Sequence, residues 1–332
     1  MKTRGLYIHI PFCAKKCGYC DFTSFVGNGT QIDDYLSYLD KEFSLYKAGG
    51  QIDDIETIFI GGGTPSILSA GQLERLFSII GENVDLSKLR EYTMESNPGS
   101  LTRDKLELMK AGGLNRLSIG LQASQDHLLK FLERIHTYEE FLESYRLARL
   151  VGFDNINIDL MFAFQGQTFE DWRETLERVV SLEPDHISAY SLIIEEGTRF
   201  FNMYEDGSLT DYDEDEYVQM YRYTIDYLAD KGYGQYEISN FAKQDKECRH
   251  NLIYWDDREY YGLGLGSSGY LGGKRYTNYK NMFNYYKKLD AGEKPIAFEE
   301  TISNCYSDFR WLGTYTVADK GRVFNISDFI KC

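Results

Sequence analysis

The chain has 332 residues, 42% hydrophobic and 27% charged, which suits one large α/β domain or a barrel with a smaller module. A formal net charge of -16 weighs against a nucleic-acid partner, because proteins that bind nucleic acids present basic patches. No apolar run approaches the roughly 20 residues of a membrane span, and the start has no long apolar stretch with a cleavage site, so the expected location is the cytoplasm.

Short apolar strands alternate with amphipathic helices along the first two thirds. Leu6 to Ile10 reads as a strand, and Thr30 to Ala48 as a helix ended by Gly49-Gly50. Thr57 to Ile60 is strand-like and runs into Gly61-Gly62-Gly63. Ser69 to Ile80 is a helix with a Ser69/Gln72 capping box and Gly81 as its stop. Glu91 to Glu95 is a strand, Thr102 to Ala111 a helix, and Arg116 to Ile119 a strand. Thr137 and Glu140 form a second capping box, opening a helix that stops at Gly152. Asn155 to Leu160 alternates polar and apolar residues with the period of a strand. A helix over Thr168 to Leu182 and a strand over His186 to Leu192 complete six βα units. Such repetition implies a parallel sheet with right-handed crossovers, as a barrel or as an open doubly wound sheet. Beyond Glu195 the pattern changes: an acidic helix start at Asp211 to Glu216, a helix over Tyr217 to Ala229, then short strand-like and Gly-rich pieces. A soft boundary is expected near residue 200.

Three of six cysteines fall in Cys13-Ala-Lys-Lys-Cys17-Gly-Tyr-Cys20, just after the first strand; Cys248, Cys305 and Cys332 are scattered. Such a tight group in an intracellular chain suggests a metal rather than a disulfide framework. A structural zinc site would need a fourth ligand, such as His9 or a distant cysteine. A [4Fe-4S] cluster can take three cysteines and leave one iron open to a small molecule.

The CxxxCxxC spacing resembles the signature of the radical S-adenosylmethionine (radical SAM) superfamily. Tyr7-Ile-His-Ile-Pro-Phe-Cys13 is similar to one branch in particular, the oxygen-independent coproporphyrinogen III dehydrogenases and the related HemW-type heme chaperones. The likeness runs from Leu6 to about Gly313. It implies an α/β fold, a partial (β/α)6 TIM-like barrel in residues 1–200, with a smaller α+β region in residues 201–332. It implies a cluster on Cys13, Cys17 and Cys20, whose open iron would be chelated by the amino and carboxylate groups of S-adenosylmethionine. An electron passed from the cluster would then break a C–S bond of the sulfonium to give a 5′-deoxyadenosyl radical. The same resemblance assigns Gly62, Gly63 and Thr64 to the amino group of S-adenosylmethionine. It assigns Glu95, Gln122, Arg134 and Asp159, at or beyond successive strand ends, to further contacts with that cofactor, with a second molecule of it as the alternative for some, and Tyr7, Tyr19 and Ile193 likewise, with core packing as the alternative for Ile193. Read alone, Gly61-Gly62-Gly63-Thr64-Pro65 is a tight strand-to-helix turn; no Lys follows, so it is not a Walker A loop.

Two further segments stand out. Gly264-Leu-Gly266-Ser-Ser-Gly269 spells GxGxxG, but Asp256 to Glu259 before it is no buried strand and no strand-end acid follows about 20 residues on, so a dinucleotide site is rejected. His250-Asn251-Leu-Ile-Tyr254-Trp255 is similar to the HNxxYW stretch of HemW-type chaperones, which implies heme, with His250 as an axial ligand. A structural His packed beside aromatics is the alternative, and Cys248 is a further candidate ligand.

The dehydrogenases carry another cysteine two positions after the third, where this chain has Phe22, and a longer segment before the cluster. Both differences favour the chaperone branch, which would deliver heme to a hemoprotein; oxidative decarboxylation of coproporphyrinogen III is the alternative. The implied partners are heme or porphyrin, a hemoprotein acceptor that could be membrane-associated, and a flavodoxin- or ferredoxin-type reductant. Phe309 to Gly313 and Val323 to Ile330 resemble parts of the family's helical C-terminal module, with a truncated-looking tail.

Overall fold

The computed structural model describes residues 3–49, 52 and 54–302. Six strands lie parallel in chain order: β1 (Arg4–Ile10), β2 (Ile55–Gly62), β3 (Glu91–Ser96), β4 (Arg116–Gln122), β5 (Ile156–Phe162) and β6 (His186–Ser191). Their connections carry α1 (Gly29–Ala48), α2 (Ala70–Asn83), α3 (Arg103–Ala111), α4 (Asp126–Phe131), α5 (Tyr138–Leu150) and α6 (Phe169–Val180). The capping boxes at Ser69/Gln72 and Thr137/Glu140 are formed, joined by Asn28/Gln31 and Thr168/Asp171. Gly81 does not stop its helix: α2 continues to Asn83, because the core contacts of Ile79 and Ile80 outweigh the cost of one glycine.

Strand period two sorts the residues of the sheet. Leu6, Ile8 and Ile10 of β1, Ile58 and Ile60 of β2, and Ile156, Ile158 and Leu160 of β5 belong to the main core, shared with α1, α2, α5 and α6. The intervening positions form the inner face, and there the side chains are largely polar or aromatic: Tyr7 and His9 of β1, Glu91 and Glu95 of β3, Asn157 and Asp159 of β5.

The remaining described residues add α7 (Arg199–Glu205), α8 (Glu214–Asp230), β7 (Gly234–Gln235), β8 (Asn240–Ala242), α9 (Arg249–Trp255), β9 (Tyr260–Leu263), β10 (Ser268–Leu271), β11 (Lys274–Asn278), α10 (Met282–Asp290) and β12 (Ile296–Thr301). Strands from both sides of residue 200 share one open sheet, ordered β12-β11-β10-β9-β1-β2-β3-β4-β5-β6-β8-β7. β9 is parallel to β1, whereas β8 is antiparallel to β6.

The GxGxxG stretch is therefore preceded by a buried strand after all. That strand turns into antiparallel β10 and not into a helix, so no helix N-terminus awaits a pyrophosphate. The glycine at 264 answers to packing: a Cβ there would lie 2.5 Å from the Tyr35 hydroxyl and 2.6 Å from the His9 carbonyl. Among the described residues no helix is long and apolar enough to cross a membrane. The tail beginning at Phe309 lies outside the described residues, as do Cys305 and Cys332.

Candidate cofactor site

The cysteine loop leaves the C-terminal end of β1. Phe12-Cys13 pairs in parallel with Phe25-Val26, which closes the loop, and the Phe25 amide donates to the Pro11 carbonyl at 3.0 Å. Cys13 is buried, Cys17 and Cys20 are half-buried, and all three are free thiols. Burial pushes the Cys13 and Cys20 thiols up from the ordinary range, so metal binding there must release their protons. Phe22, at the position of the dehydrogenases' additional cysteine, is exposed. Among the described residues no three or more His, Cys, Asp or Glu side chains form a group that could hold one metal ion. Three free thiols on one short loop are the donor chemistry that an iron–sulfur cluster takes.

His9, the possible fourth zinc ligand, has both ring nitrogens engaged. Nε2 lies 2.8 Å from the Thr23 carbonyl, which can only accept, so this nitrogen carries the hydrogen. Nδ1 therefore accepts from the Tyr7 hydroxyl, 2.9 Å away. Burial holds the His9 pKa below its usual value and keeps the ring neutral. The cysteine loop is thus tied to β1 through Thr23, and Tyr7 keeps a lone pair for a ligand. Sequence reasoning gave His9 no such role, because Thr23 is brought to it only by the closed loop.

The turn after β2 packs flush on this strand. The Gly63 amide donates to the Ile10 carbonyl (2.9 Å) and the Thr64 amide to the Phe12 carbonyl (2.7 Å). A Cβ on Gly63 would stand 2.5 Å from the Phe12 carbonyl oxygen, and Gly62 has φ +113. Gly62 donates its amide to Glu95 Oε2 at 3.0 Å. The same turn delivers the Thr64 hydroxyl to Cys13 Sγ at 3.6 Å.

Arg134 sits opposite. Its Nη1 points at Cys17 Sγ (3.7 Å), and its Nη2 donates to Asn97 Oδ1 (2.6 Å) and the Gly120 carbonyl (3.1 Å). Asn97 Nδ2 donates in turn to Thr64 Oγ1 at 2.9 Å. Cys13 and Cys17 thus each have a side-chain donor aimed at sulfur, the usual surroundings of a thiolate-bound cluster. Tyr19 stands beside Arg134; burial raises its phenol pKa, and Arg134 partly opposes this. Sequence reasoning gave Asn97 no role.

Glu95 and Asp159 face each other across the inner side of the sheet. Asp159 accepts from Ser118 Oγ (2.9 Å) and Asn157 Nδ2 (2.7 Å). Burial first, then the charge of Asp159, pushes the Glu95 carboxyl up to about 7. Burial, then Glu95, likewise drives Tyr7 well above the usual phenol range. Gln122 ends β4 at a bulge, with φ +73. Ile193 is 41% exposed and lines a cavity of about 380 Å³ with Phe164, Ile194, Phe201 and Tyr204, beyond the ends of β5 and β6. Of the expected cofactor-contact positions, Tyr7, Gly62 and Asp159 are thus tied to Glu95 by a bond or by charge, and Tyr19, Thr64 and Arg134 to the cysteine loop, whereas Gly63 is bonded to Ile10 of β1. Gln122 lies near Arg134, both close to Gly120, where a Cβ would stand 3.0 Å from Gln122 Nε2 and 3.2 Å from Arg134 Nη2.

The HNxxYW segment forms α9, which lies against the inner face. Glu91 of β3 accepts from Cys248 Sγ (3.3 Å) and from the Arg249 (2.8 Å) and His250 (3.1 Å) amides, holding the start of the helix. His250 is 1% exposed. Its Nδ1 meets Thr57 Oγ1 and its Nε2 the Tyr254 hydroxyl, both at 2.8 Å, and its ring stacks on Phe59. Burial, then Arg116, lowers its pKa to about 3. The expected axial ligand is therefore not presented with a free nitrogen: ligation would have to break the bond to Tyr254 or Thr57. Cys248 is fully buried, and burial pushes its thiol up to about 12.

Residues 7–179 match the family description "Radical SAM superfamily". The heme chaperone HemW of Lactococcus lactis is 43% identical over 302 residues, covering 91% of this chain and 78% of that protein. The heme chaperone HemW of Bacillus subtilis is 39% identical over 299 residues, with 90% and 78% covered. Among solved structures, the coproporphyrinogen III oxidase (HemN) of Escherichia coli, a radical SAM enzyme, superposes with a TM-score of 0.79 at 26% identity, covering 91% of this chain and 72% of that one.

Proposed function

As the chain belongs to the radical SAM superfamily, and within it to the family of the HemW heme chaperones, we propose that it is a cytoplasmic heme chaperone. It would bind heme beside a [4Fe-4S] cluster and S-adenosylmethionine, and pass the heme to a hemoprotein acceptor. A 43% identity to a heme chaperone, extending over 91% of the chain, is the observation that carries this reading, supported by the donors aimed at Cys13 and Cys17.

In it, Cys13, Cys17 and Cys20 are the cluster ligands. Bound there, the cluster supplies an open iron for the amino and carboxylate groups of S-adenosylmethionine and an electron for its sulfonium. Thr64 and Arg134 donate toward sulfur, and the Gly62-Gly63 turn lets backbone approach the ligand without a clash. Glu95 and Asp159 supply negative charge toward a cationic ligand, and Tyr7 offers an oxygen lone pair. Tyr19 and Gln122 border the same site, and Ile193 offers apolar surface. A flavodoxin- or ferredoxin-type protein would supply the electron. The HNxxYW helix is the candidate heme-binding element, with His250→Ala as its test.

Titration of the anaerobically prepared protein with heme, followed by mixing with an apo-hemoprotein, tests the proposal. Saturable binding and transfer are expected. A wild type that binds no heme, or that converts coproporphyrinogen III to protoporphyrinogen when given reductant and S-adenosylmethionine, overturns it in favour of the decarboxylating enzyme.

A further inference from the structure

The donors aimed at Cys13 and Cys17 converge on one neutral side chain. Asn97 stands one residue beyond β3, its amide held by Ser66 Oγ (3.1 Å) and its carbonyl by the Ser100 amide (3.2 Å) and hydroxyl (2.6 Å). Its carboxamide bridges Arg134 and Thr64. The polarity of that bridge is fixed by chemistry. A guanidinium only donates, so Oδ1 must face Arg134 and Nδ2 must face Thr64. A threonine hydroxyl has one hydrogen. Because Thr64 Oγ1 accepts from Asn97, its hydrogen is free for Cys13 Sγ, the acceptor 3.6 Å away. Arg134, held through Nη2, is left to direct Nη1 at Cys17 Sγ. Close approach depends on Gly120, where a Cβ would stand 3.2 Å from both Asn97 Oδ1 and Arg134 Nη2.

We propose that Asn97 is a positioning residue that orients the hydrogen-bond donors of Cys13 and Cys17 and thereby sets the reduction potential of a cluster bound there. The proposal rests on the reading that Cys13, Cys17 and Cys20 hold the cluster. Hydrogen bonds to the sulfurs and net charge are among the quantities that fix such potentials. Asp at position 97 has the same shape but two acceptor oxygens. It would draw the Thr64 hydrogen away from Cys13 and add a negative charge, and both changes disfavour reduction. Removal of the carboxamide only unties the two donors.

Anaerobic redox titration of the reconstituted protein, monitored by electron paramagnetic resonance, separates these effects. Asn97→Asp shifts the potential furthest to the negative side. Asn97→Ala and Thr64→Val shift it less, in the same direction. In the Thr64→Val background the Asn97→Asp shift shrinks, because the hydroxyl it redirects is gone. Equal Asn97→Asp shifts in both backgrounds, or none, would overturn the proposal. Should Asn97→Asp lose its cluster, Asn97→Ala with and without Thr64→Val measures the same coupling. Iron and sulfide analysis of the wild type keeps the outcomes apart: no cluster sinks the underlying reading, whereas a full cluster with unmoved potentials sinks only the role of Asn97.

Discussion

The inner face of the sheet carries polar groups at both ends of its strands, but the two ends use them differently. At the end where β3 and β4 begin, most of the hydrogen-bonding capacity is consumed within the protein, with the buried Arg116 Nε as an exception. Glu91 accepts three bonds from the start of α9. His186 bonds Asn157 Oδ1 through Nδ1 (2.6 Å) and the Tyr236 hydroxyl through Nε2 (2.8 Å), and Asn157 Nδ2 donates to Ser118 Oγ. Arg116 is buried there among Glu91, Cys248 and Tyr236, its Nε without a hydrogen-bond partner. At the end where the strands finish, Glu95 accepts from one backbone amide, Tyr7 retains a lone pair, and Tyr190 remains 41% exposed. Residue type alone does not separate the two groups. What separates a floor from a site is whether the donors and acceptors are already spoken for.

The largest expected effect falls at the site end. Cys13→Ala, Cys17→Ala or Cys20→Ala should abolish the cluster outright, read as loss of iron, of sulfide and of the visible charge-transfer absorbance. The denaturation midpoint of the metal-free protein should hardly move. A large loss of metal-free stability would mean that the loop is a structural staple. At the floor, Glu91→Ala strips three donors and a buried guanidinium of their carboxylate and should destabilise the fold by about 3–5 kcal/mol, seen in urea titration. A change under about 1 kcal/mol would break the distinction between floor and site.

Gly63→Ala should cost about 1–3 kcal/mol, because its Cβ meets backbone and not a yielding side chain. S-adenosylmethionine affinity should fall with it, measured by calorimetry. A milder effect comes from pH. Glu95 sits near pKa 7, so it is mostly protonated at pH 6 and mostly ionised at pH 8. A cation should therefore bind about tenfold more tightly at the higher pH, and Glu95→Gln should flatten the profile. The sign for stability is the reverse: a carboxyl whose folded pKa lies above its unfolded value of about 4.3 favours the folded state at low pH. That contribution fades as pH rises through 7.

The βα alternation, the capping boxes and the cysteine spacing are local signals, and the strands and helices up to Ser191 follow them closely. Tyr260 to Leu263 was not read as a parallel strand, since four residues between a charged stretch and glycines carry too little periodicity; only its neighbour β1 makes it one. The resemblance of the HNxxYW segment implied His250 as a ligand, with a structural His as the alternative; Thr57, 193 residues away in the chain, meets one of its nitrogens. His9 and Asn97 were invisible as positioning groups for the same reason: their partners, Thr23, Thr64 and Arg134, arrive only with the tertiary fold.

The most direct measurement is electron paramagnetic resonance of the dithionite-reduced, oxygen-free protein before and after addition of S-adenosylmethionine. An iron–sulfur signal that changes when the cofactor is added, and that is absent from Cys17→Ala, is the predicted result. A signal indifferent to S-adenosylmethionine, or a preparation that holds zinc in place of iron, would contradict the account.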